Sequence, residues 1–203
     1  MGFTPDFEKA KDYVLNRLES ELSSDLTYHC LEHTVKEVVP TADHLATLEK
    51  VADEDRIMLL TGAYYHDLGF IRQRQEHESV SIQLAEETLP MFGYSDTQIA
   101  VIKGVIQATC IPQSPTNLLE RIMADADLDY LGRENFWKRS QDLRRELENY
   151  GEEFTDSGWL IYQMSFIKAH HYFTRSQRSR REAAKQKHLH EIEIQLSRLT
   201  IIN

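Results

Sequence analysis

The amino-acid sequence predicts an all-α protein, folded as a single-domain helical bundle over residues 1–203. Apolar residues recur at intervals of three and four almost throughout, which is the period of a helix that packs one face on a core. The alternation of apolar and polar residues that is typical of a half-buried strand is hard to find. A chain of 203 residues can bury a substantial core without disulfides or metal staples, so one domain is expected.

Helical periodicity begins near the N-terminus and continues to the end of the chain. Residues three and four apart lie on one side of a helix, so each apolar run supplies a face for the core. The first three runs are Phe7, Ala10, Val14 and Leu18; Val35, Val38, Ala42, Leu45 and Leu48; and Ile57, Leu60, Ala63 and Tyr64. Later runs cover about residues 77–90, 96–109, 116–131, 134–149, 157–173 and 176–200.

Several helix boundaries have identifiable physical causes. Ser95 with Gln98 predicts a capping box at the start of one helix. Gly69 suits a left-handed residue at a helix end, and the two prolines of 112–115 interrupt helical hydrogen bonding. These features separate helices of one bundle rather than domains.

The composition restricts the classes of partner. A formal net charge of -10 disfavours binding of a nucleic acid polymer, although a small phosphorylated substrate can still meet local positive charge. Cys30 and Cys110 form no metal-spaced pair and indicate reduced thiols, so we expect a cytoplasmic protein. No stretch approaches the roughly 18 uncharged apolar residues of a membrane helix, and we expect no membrane association.

A basic segment between Arg175 and Lys187 could attract phosphate or nucleic acid. At helical spacing, however, such residues usually form a solvated face, and the apolar residues that follow supply a stripe for packing. The solvated face is the favoured interpretation.

The adjacent pair His66-Asp67 is the most informative feature of the chain, because two metal-binding side chains stand together where an apolar helix is expected to end. Imidazole and carboxylate suit manganese, iron, magnesium, cobalt or zinc, and no thiolate is needed. Candidates to complete a metal site occur at a distance in sequence: His29 and His33 upstream, and Asp125, Asp127 and Asp129 downstream.

Geometry alone leaves alternatives open for these residues. His29 and His33 are four apart, so on a helix they would share one face. Taken in isolation, either histidine is more often a surface or hydrogen-bonded core residue than a ligand. His66 and Asp67 would point about 100° apart on an ideal helix, so an ion that contacts both must lie at a helix end or between helices.

The order His33, then His66-Asp67, then Asp127 resembles the HD-domain superfamily of metal-dependent phosphohydrolases, in which a His, an adjacent His-Asp and a later Asp bind one divalent ion. The surrounding motifs are also similar. They are Tyr-His-x-x-x-His-Thr at 28–34, His-Asp-Leu-Gly-Phe at 66–70, His-Glu-x-x-Ser at 77–81 and Asp-Ala-Asp-Leu-Asp-Tyr-Leu-Gly-Arg at 125–133. The resemblance implies a motif-bearing core at about 26–133, with C-terminal helices packed on it.

The resemblance implies that the metal ligands are His33, His66, Asp67 and Asp127, with water activated by the ion as the nucleophile. Asp127 matches the second acidic residue of the family's Asp-Ala-Asp motif. Asp67 would take part in catalysis as a ligand, and it could bridge two ions.

His29 resembles the first histidine of the Tyr-His-Asn motif in cyclic-nucleotide phosphodiesterases, where that residue protonates the leaving oxygen. We therefore expect His29 to be a general acid, although Cys30 stands where that motif has Asn. His77 and Arg133 are expected to contact substrate. In some members a histidine at the position of His77 holds a second ion, but no histidine occurs at 106–109, so one ion is favoured.

These features together predict a metal-dependent phosphohydrolase that cleaves a phosphomonoester or phosphodiester of a small molecule, with a nucleotide as the favoured substrate. The alternative is a metal-binding nucleotide sensor or regulatory module with weak catalysis, which the departure at Cys30 keeps open. A third alternative is a helical scaffold with incidental histidines. Whether the chain forms a homo-oligomer is left open by the sequence.

Overall fold

A computed structural model describes the backbone of residues 5–202 and the side chains of residues 5–199. This part of the chain is helical and contains no strand, which confirms the predicted all-α class. Within the described residues, none of the helices is both long enough and apolar enough to cross a membrane. The α-helices are α1 (Phe7–Glu21), α2 (Val39–Leu48), α3 (Asp53–Tyr65), α4 (His77–Thr88), α5 (Asp96–Gln107), α6 (Leu118–Asp127), α7 (Phe136–Asn149), α8 (Asp156–Ala169) and α9 (Arg175–Ile202).

Short irregular helices connect several of these elements. A π-helical segment, His33–Val38, leads directly into α2, and 3₁₀ turns cover Leu68–Ile71, Leu89–Phe92 and Asp129–Gly132. The π-helix is uncommon and is frequently found at functional sites. Two of the 3₁₀ turns follow α3 and α6 within three residues, so the His-Asp pair and the Asp-Ala-Asp motif both lie where an α-helix ends.

Two of the predicted boundaries are confirmed. Ser95 accepts from the backbone N–H of Gln98, whose side chain accepts from the N–H of Ser95, so the capping box at the start of α5 is complete. The proline-containing segment 112–115 lies between the end of α5 and the start of α6.

The role predicted for Gly69 is wrong. The residue lies inside a 3₁₀ turn and is not among the glycines with positive φ, which are Gly93 and Gly151. Its lack of a side chain is required by packing, because a Cβ atom there would lie 1.9 Å from the carbonyl oxygen of His77. Gly69 therefore allows the turn after the His-Asp pair to touch the first residue of α4.

The core consists of three clusters of buried apolar side chains. One joins α1, α3, α4 and α5 around Leu18, Tyr65 and Ile102. A second joins the π-helical segment, α2, α3, α5 and α6 around Leu45 and Met123. The third joins the end of α6 to α7, α8 and α9, and it attaches the C-terminal helices to the segment that carries the site motifs.

The basic segment at the start of α9 is only partly a solvated face, contrary to the favoured interpretation. Arg181 forms an ion pair with Asp129, at 2.6 Å, and fixes α9 to the 3₁₀ turn after α6. Lys185 is 2% exposed; its Nζ donates to the carbonyl of His170 at 3.0 Å and lies 5.0 Å from the ring centre of Tyr172. These two cations are used in packing because α9 lies against the end of α8 and the loop that follows it.

His170 provides a test of this packing. Burial, together with the nearby Lys185 ammonium and His171, lowers the pKa of the His170 imidazole to about 3. The unfolded chain takes up the same proton near pH 6.5, so the free energy of unfolding falls as the pH decreases below about 6.5. Between pH 7 and pH 5 this group should remove about 2 kcal/mol of stability.

We expect the variant His170→Gln to lose correspondingly less stability between pH 7 and pH 5 than the wild type, as measured by urea unfolding at both values. His190→Gln, at an exposed position on the same C-terminal part of the chain, is the control and should behave like the wild type. Equal pH dependence in wild type and His170→Gln would contradict this assignment.

Candidate metal centre

The His-Asp pair lies at the end of α3, as its sequence predicts. His66 is the residue at which α3 ends, and Asp67 starts the 3₁₀ turn Leu68–Ile71. Ser81 of α4 fixes the local backbone, because its Oγ donates to the carbonyl of His66 at 2.6 Å and accepts from the N–H of Gly69 at 2.8 Å. Because the backbone changes from an α-helix to a 3₁₀ turn here, the consecutive side chains of His66 and Asp67 can approach the same point.

His33, His66 and Asp127 form a buried group that could hold a metal ion, with one ligand atom from each within 4.8 Å of the others. Oδ1 of Asp127 lies 3.2 Å from Nε2 of His33 and 3.5 Å from Nε2 of His66. Asp67 is the fourth member, because its Oδ2 lies 3.1 Å from Nε2 of His66 and 4.0 Å from Nε2 of His33. The structure thus brings together the four residues predicted as ligands.

Two atoms at the centre of this cluster lack hydrogen-bond partners. Nε2 of His66 and Oδ2 of Asp67 are buried and lie 3.1 Å apart, and the geometry leaves both without a hydrogen-bond partner. Buried polar atoms are normally satisfied, and leaving one unsatisfied costs roughly 1–3 kcal/mol. A divalent ion accepts lone pairs from imidazole nitrogen and carboxylate oxygen alike. The donor set therefore fits a metal ion.

The outer nitrogen of each ligand histidine is held by a hydrogen bond. Nδ1 of His66 lies 2.8 Å from the carbonyl oxygen of Ala63, and because a carbonyl can only accept, Nδ1 carries the proton there. In the neutral imidazole, Nε2 then presents its lone pair to the cluster. Nδ1 of His33 lies 3.1 Å from Glu37, whose carboxylate is in turn 3.0 Å from Arg139.

Burial and mutual attraction act in opposite directions on the charges of this cluster. Burial is the largest influence and disfavours the charged forms, but the neighbouring charges outweigh it. The pKa of His66 is raised well above its ordinary value beside Asp67 and Asp127, and the pKa of His33 is raised by Asp127 and Glu37. The pKa values of Asp67 and Asp127 are lowered in return. The imidazoles and the carboxylates therefore favour each other's charged forms, and a cation bound here would compete with protons for the imidazole nitrogens.

His29 and His33 do not lie on one helix, so they do not share a helix face. His29 precedes the π-helical segment in a bend, and its ring stacks on Phe70 with centres 4.5 Å apart. Its ring centre is nevertheless 6.1 Å from that of His33, so the two histidines share one region.

Glu146 of α7 determines the position of His29, and sequence reasoning missed it. Its buried carboxylate accepts from the backbone N–H groups of Tyr28 and His29 at 2.8 and 2.9 Å, and it contacts Nδ1 of His29. The one signal in the sequence that Glu146 is buried is its spacing. Arg139 and Glu146 fall on the same helix face as the apolar Leu143. Charged residues on such a stripe are buried only when paired.

His77 is the first residue of α4 and lies beside Asp67 rather than within the four-residue cluster. Its Nε2 is 3.4 Å from Oδ1 of Asp67, the carboxylate oxygen on the other side from Oδ2, and its ring stacks on Phe70 at 3.9 Å. Asp67 therefore stands between the metal cluster and His77.

Of the three acidic candidates at the end of α6, Asp127 is the one at the cluster. Asp125 accepts from the backbone N–H groups of Phe173 and Thr174, just before α9. Asp129 pairs with Arg181. Both flanking carboxylates therefore fix α9 rather than orient a ligand histidine.

The structure does not bring Arg133 to the site, in contrast to its predicted contact with substrate. Its guanidinium pairs with Asp129 and donates to the hydroxyl of Thr41 at 2.8 Å, because the 3₁₀ turn 129–132 directs it toward α2 and α9. Three further basic residues, Arg72, Lys103 and Lys168, form surface ion pairs with Glu87, Glu86 and Glu193 respectively.

A cavity of about 220 Å³ opens beside the cluster. Its lining combines polar groups of the site with apolar and aromatic side chains, several of them on α7 and α8. The polar lining includes His29, Asp67, His77, Glu78, Asp127 and Gln163, and the rest is Tyr28, Thr109, Ile111, Leu128, Tyr130, Leu143, Leu147, Tyr162 and Phe166. The candidate acid, the metal cluster and His77 thus face one common space.

Comparison of the chain with protein-family models, with curated proteins and with solved structures finds no match.

A substitution at Gly69 tests how the His66-Asp67 pair is positioned. We expect Gly69→Ala to destabilise the protein by about 1–3 kcal/mol, because the new Cβ would meet the backbone of His77 and separate α4 from the turn. The melting temperature and the retained metal content should both decrease. Gly104→Ala is the control, since its Cβ would meet only the side chain of Glu120, and unchanged properties in both variants would contradict the packing assigned to Gly69.

Proposed function

We propose that this protein is a metal-dependent phosphohydrolase that cleaves a phosphomonoester or phosphodiester of a small molecule, with a nucleotide as substrate. The observation that carries the proposal is the pair of buried atoms without partners, Nε2 of His66 and Oδ2 of Asp67, at the centre of a His-His-Asp-Asp cluster. The cluster opens on a cavity of about 220 Å³, which suits a small molecule better than a polymer.

His33, His66, Asp67 and Asp127 would hold the ion. A divalent ion at such a site lowers the pKa of water and offsets the negative charge that develops on phosphoryl oxygens. The protein's own contribution is position: Ala63 and Glu37 fix the orientation of the ligand imidazoles through their Nδ1 atoms. The two unpaired atoms then need no rearrangement when the ion binds.

His29 is placed to act as the general acid. Glu146 holds Nδ1 of its ring, so Nε2 is the nitrogen left for a group in the cavity. A histidine positioned in this way can deliver a proton to the leaving oxygen as the bond to phosphorus breaks. Glu146 is a positioning residue in this scheme, comparable with the carboxylate that orients a catalytic histidine in other hydrolases.

One ion remains the favoured stoichiometry. Asp67 directs Oδ2 at the cluster and Oδ1 toward His77, so its carboxylate has the arrangement of a bridge to a second cation. Glu78 also lies near His77, 3.5 Å from Nδ1 of its ring, but no histidine occurs at 106–109 to complete a second site, so one ion is favoured. His77 would instead contact the substrate phosphate; although burial alone would lower its pKa, the neighbouring Asp67 and Glu78 raise it.

The metal content of the purified protein tests the site directly. We expect wild-type protein prepared without chelators to hold about one equivalent of a divalent metal by elemental analysis, and Asp67→Asn to hold less than about a tenth of that. Asp12→Asn, an exposed carboxylate on α1, is the control and should retain the wild-type content. A wild type with no metal, and no uptake on addition of manganese, magnesium, iron, cobalt or zinc, would exclude the proposal.

The role of His29 is tested by the leaving group. We expect His29→Ala to keep its metal and to lose about 10²–10⁴-fold in turnover of phenyl phosphate, with a much smaller loss for 4-nitrophenyl phosphate, whose better leaving group needs no proton. Equal losses on both esters would show that His29 is not the acid. Tight nucleotide binding without turnover of any ester by the wild type would instead favour a sensor.

A further inference from the structure

We propose that the cavity beside the metal centre accommodates the nucleoside part of a nucleoside monophosphate, and that the side-chain amide of Gln163 hydrogen-bonds the edge of its base. This inference rests on the proposed function and specifies the substrate class of the same site. It follows from three properties of the cavity wall: its charges, one amide without partners and its aromatic surface.

The charges of the wall limit the number of phosphates. Among the described residues that line the cavity, none is a lysine or an arginine, whereas Asp67, Glu78 and Asp127 are acidic. A metal ion with His29 and His77 can neutralise one phosphoryl group, but a second or third phosphate would meet carboxylates without a compensating cation. The cavity therefore suits a monophosphate over a diphosphate or triphosphate.

Gln163 is the unusual residue of the cavity wall. It lies on α8, is 1% exposed and lines the cavity, and neither Nε2 nor Oε1 has a hydrogen-bond partner. Burying an amide with both ends unsatisfied is unfavourable, and such a group in a folded protein requires an explanation. An amide offers one donor and one acceptor side by side, which is the complement of the donor and acceptor pairs on nucleobase edges.

The surface around Gln163 fits a planar ring. Tyr162 and Phe166 are four apart on α8, so they share a helix face next to Gln163, and Tyr130 lines the cavity from the 3₁₀ turn after α6. Aromatic side chains stack on any of the nucleobases with similar strength. An amide among them would therefore supply the selectivity for one base over another.

The stability of the variant Gln163→Leu in the absence of ligand is the first test. Because the amide has no partner in the protein, its replacement by an apolar side chain of similar size should leave the melting temperature unchanged or raise it. A clear decrease in melting temperature would mean that the amide is satisfied within the protein, and it would overturn the inference.

Substrate selectivity is the second test, made on metal-loaded protein. For the wild type, we expect kcat/KM to be higher for the four ribonucleoside 5′-monophosphates than for the corresponding triphosphates. In Gln163→Leu we expect kcat/KM for the preferred monophosphate to decrease about tenfold or more. Phenyl phosphate has a ring but no donor and acceptor edge, so kcat/KM for this ester should change less than about twofold. Gln83→Leu, at an exposed position on α4, is the control and should match the wild type on both. Equal effects of Gln163→Leu on both esters, or a preference for triphosphates, would overturn the inference.

Failure of the proposed function would be visible separately. If the wild type hydrolyses none of these esters, thermal stabilisation by the same monophosphates shows whether the nucleotide-binding site is present. Stabilisation of the wild type that is lost in Gln163→Leu but kept in Gln83→Leu would support the binding site without the enzyme. Stabilisation that is absent, or equal in all three proteins, would overturn it.

Discussion

The rest of the structure depends on the burial of two imidazoles and two carboxylates around one point. Such a concentration of charge is unfavourable in a protein interior unless every group is paired, and here Nε2 of His66 and Oδ2 of Asp67 are left without hydrogen-bond partners. The surrounding fold must therefore hold the four side chains in place against their tendency to rearrange. The irregular helices, the close contact at Gly69 and the outer hydrogen bonds of the histidines all serve this requirement.

Much of the helical architecture could be predicted, because it follows from the period of the apolar residues. The metal cluster could be predicted in part, since the adjacent His66-Asp67 pair restricts where an ion can lie and the resemblance to a known motif order supplies His33 and Asp127. Composition alone could not separate Asp127 from Asp125 and Asp129. That choice depends on which carboxylates bind to the start of α9, and α9 lies far away in the sequence. Asp125 accepts from the N–H of Thr174 just before α9, and Asp129 pairs with Arg181 of α9.

The errors have a common physical origin, which is that the partners of polar side chains are set by long-range packing. Arg133 follows the acidic motif in sequence, but the 3₁₀ turn directs it to Asp129 and Thr41. The position of His29 likewise depends on Glu146, 117 residues away in the sequence, which holds it in a bend. Gln163 has no sequence signal at all, because an isolated glutamine between apolar neighbours is indistinguishable from a surface residue until its burial is known.

These long-range partners also divide the site into two parts. The candidate metal ligands all come from residues 33–127, on the elements between the π-helical segment and α6, whereas Gln163, Tyr162 and Phe166 come from α8. The groups that would hold the ion therefore belong to one part of the bundle and those that would select the base to another, while His29 and Glu146 connect the two parts. Because none of the four candidate ligands lies on α8, the proposal implies that substitutions on the cavity face of that helix would alter substrate preference without removing a ligand of the ion.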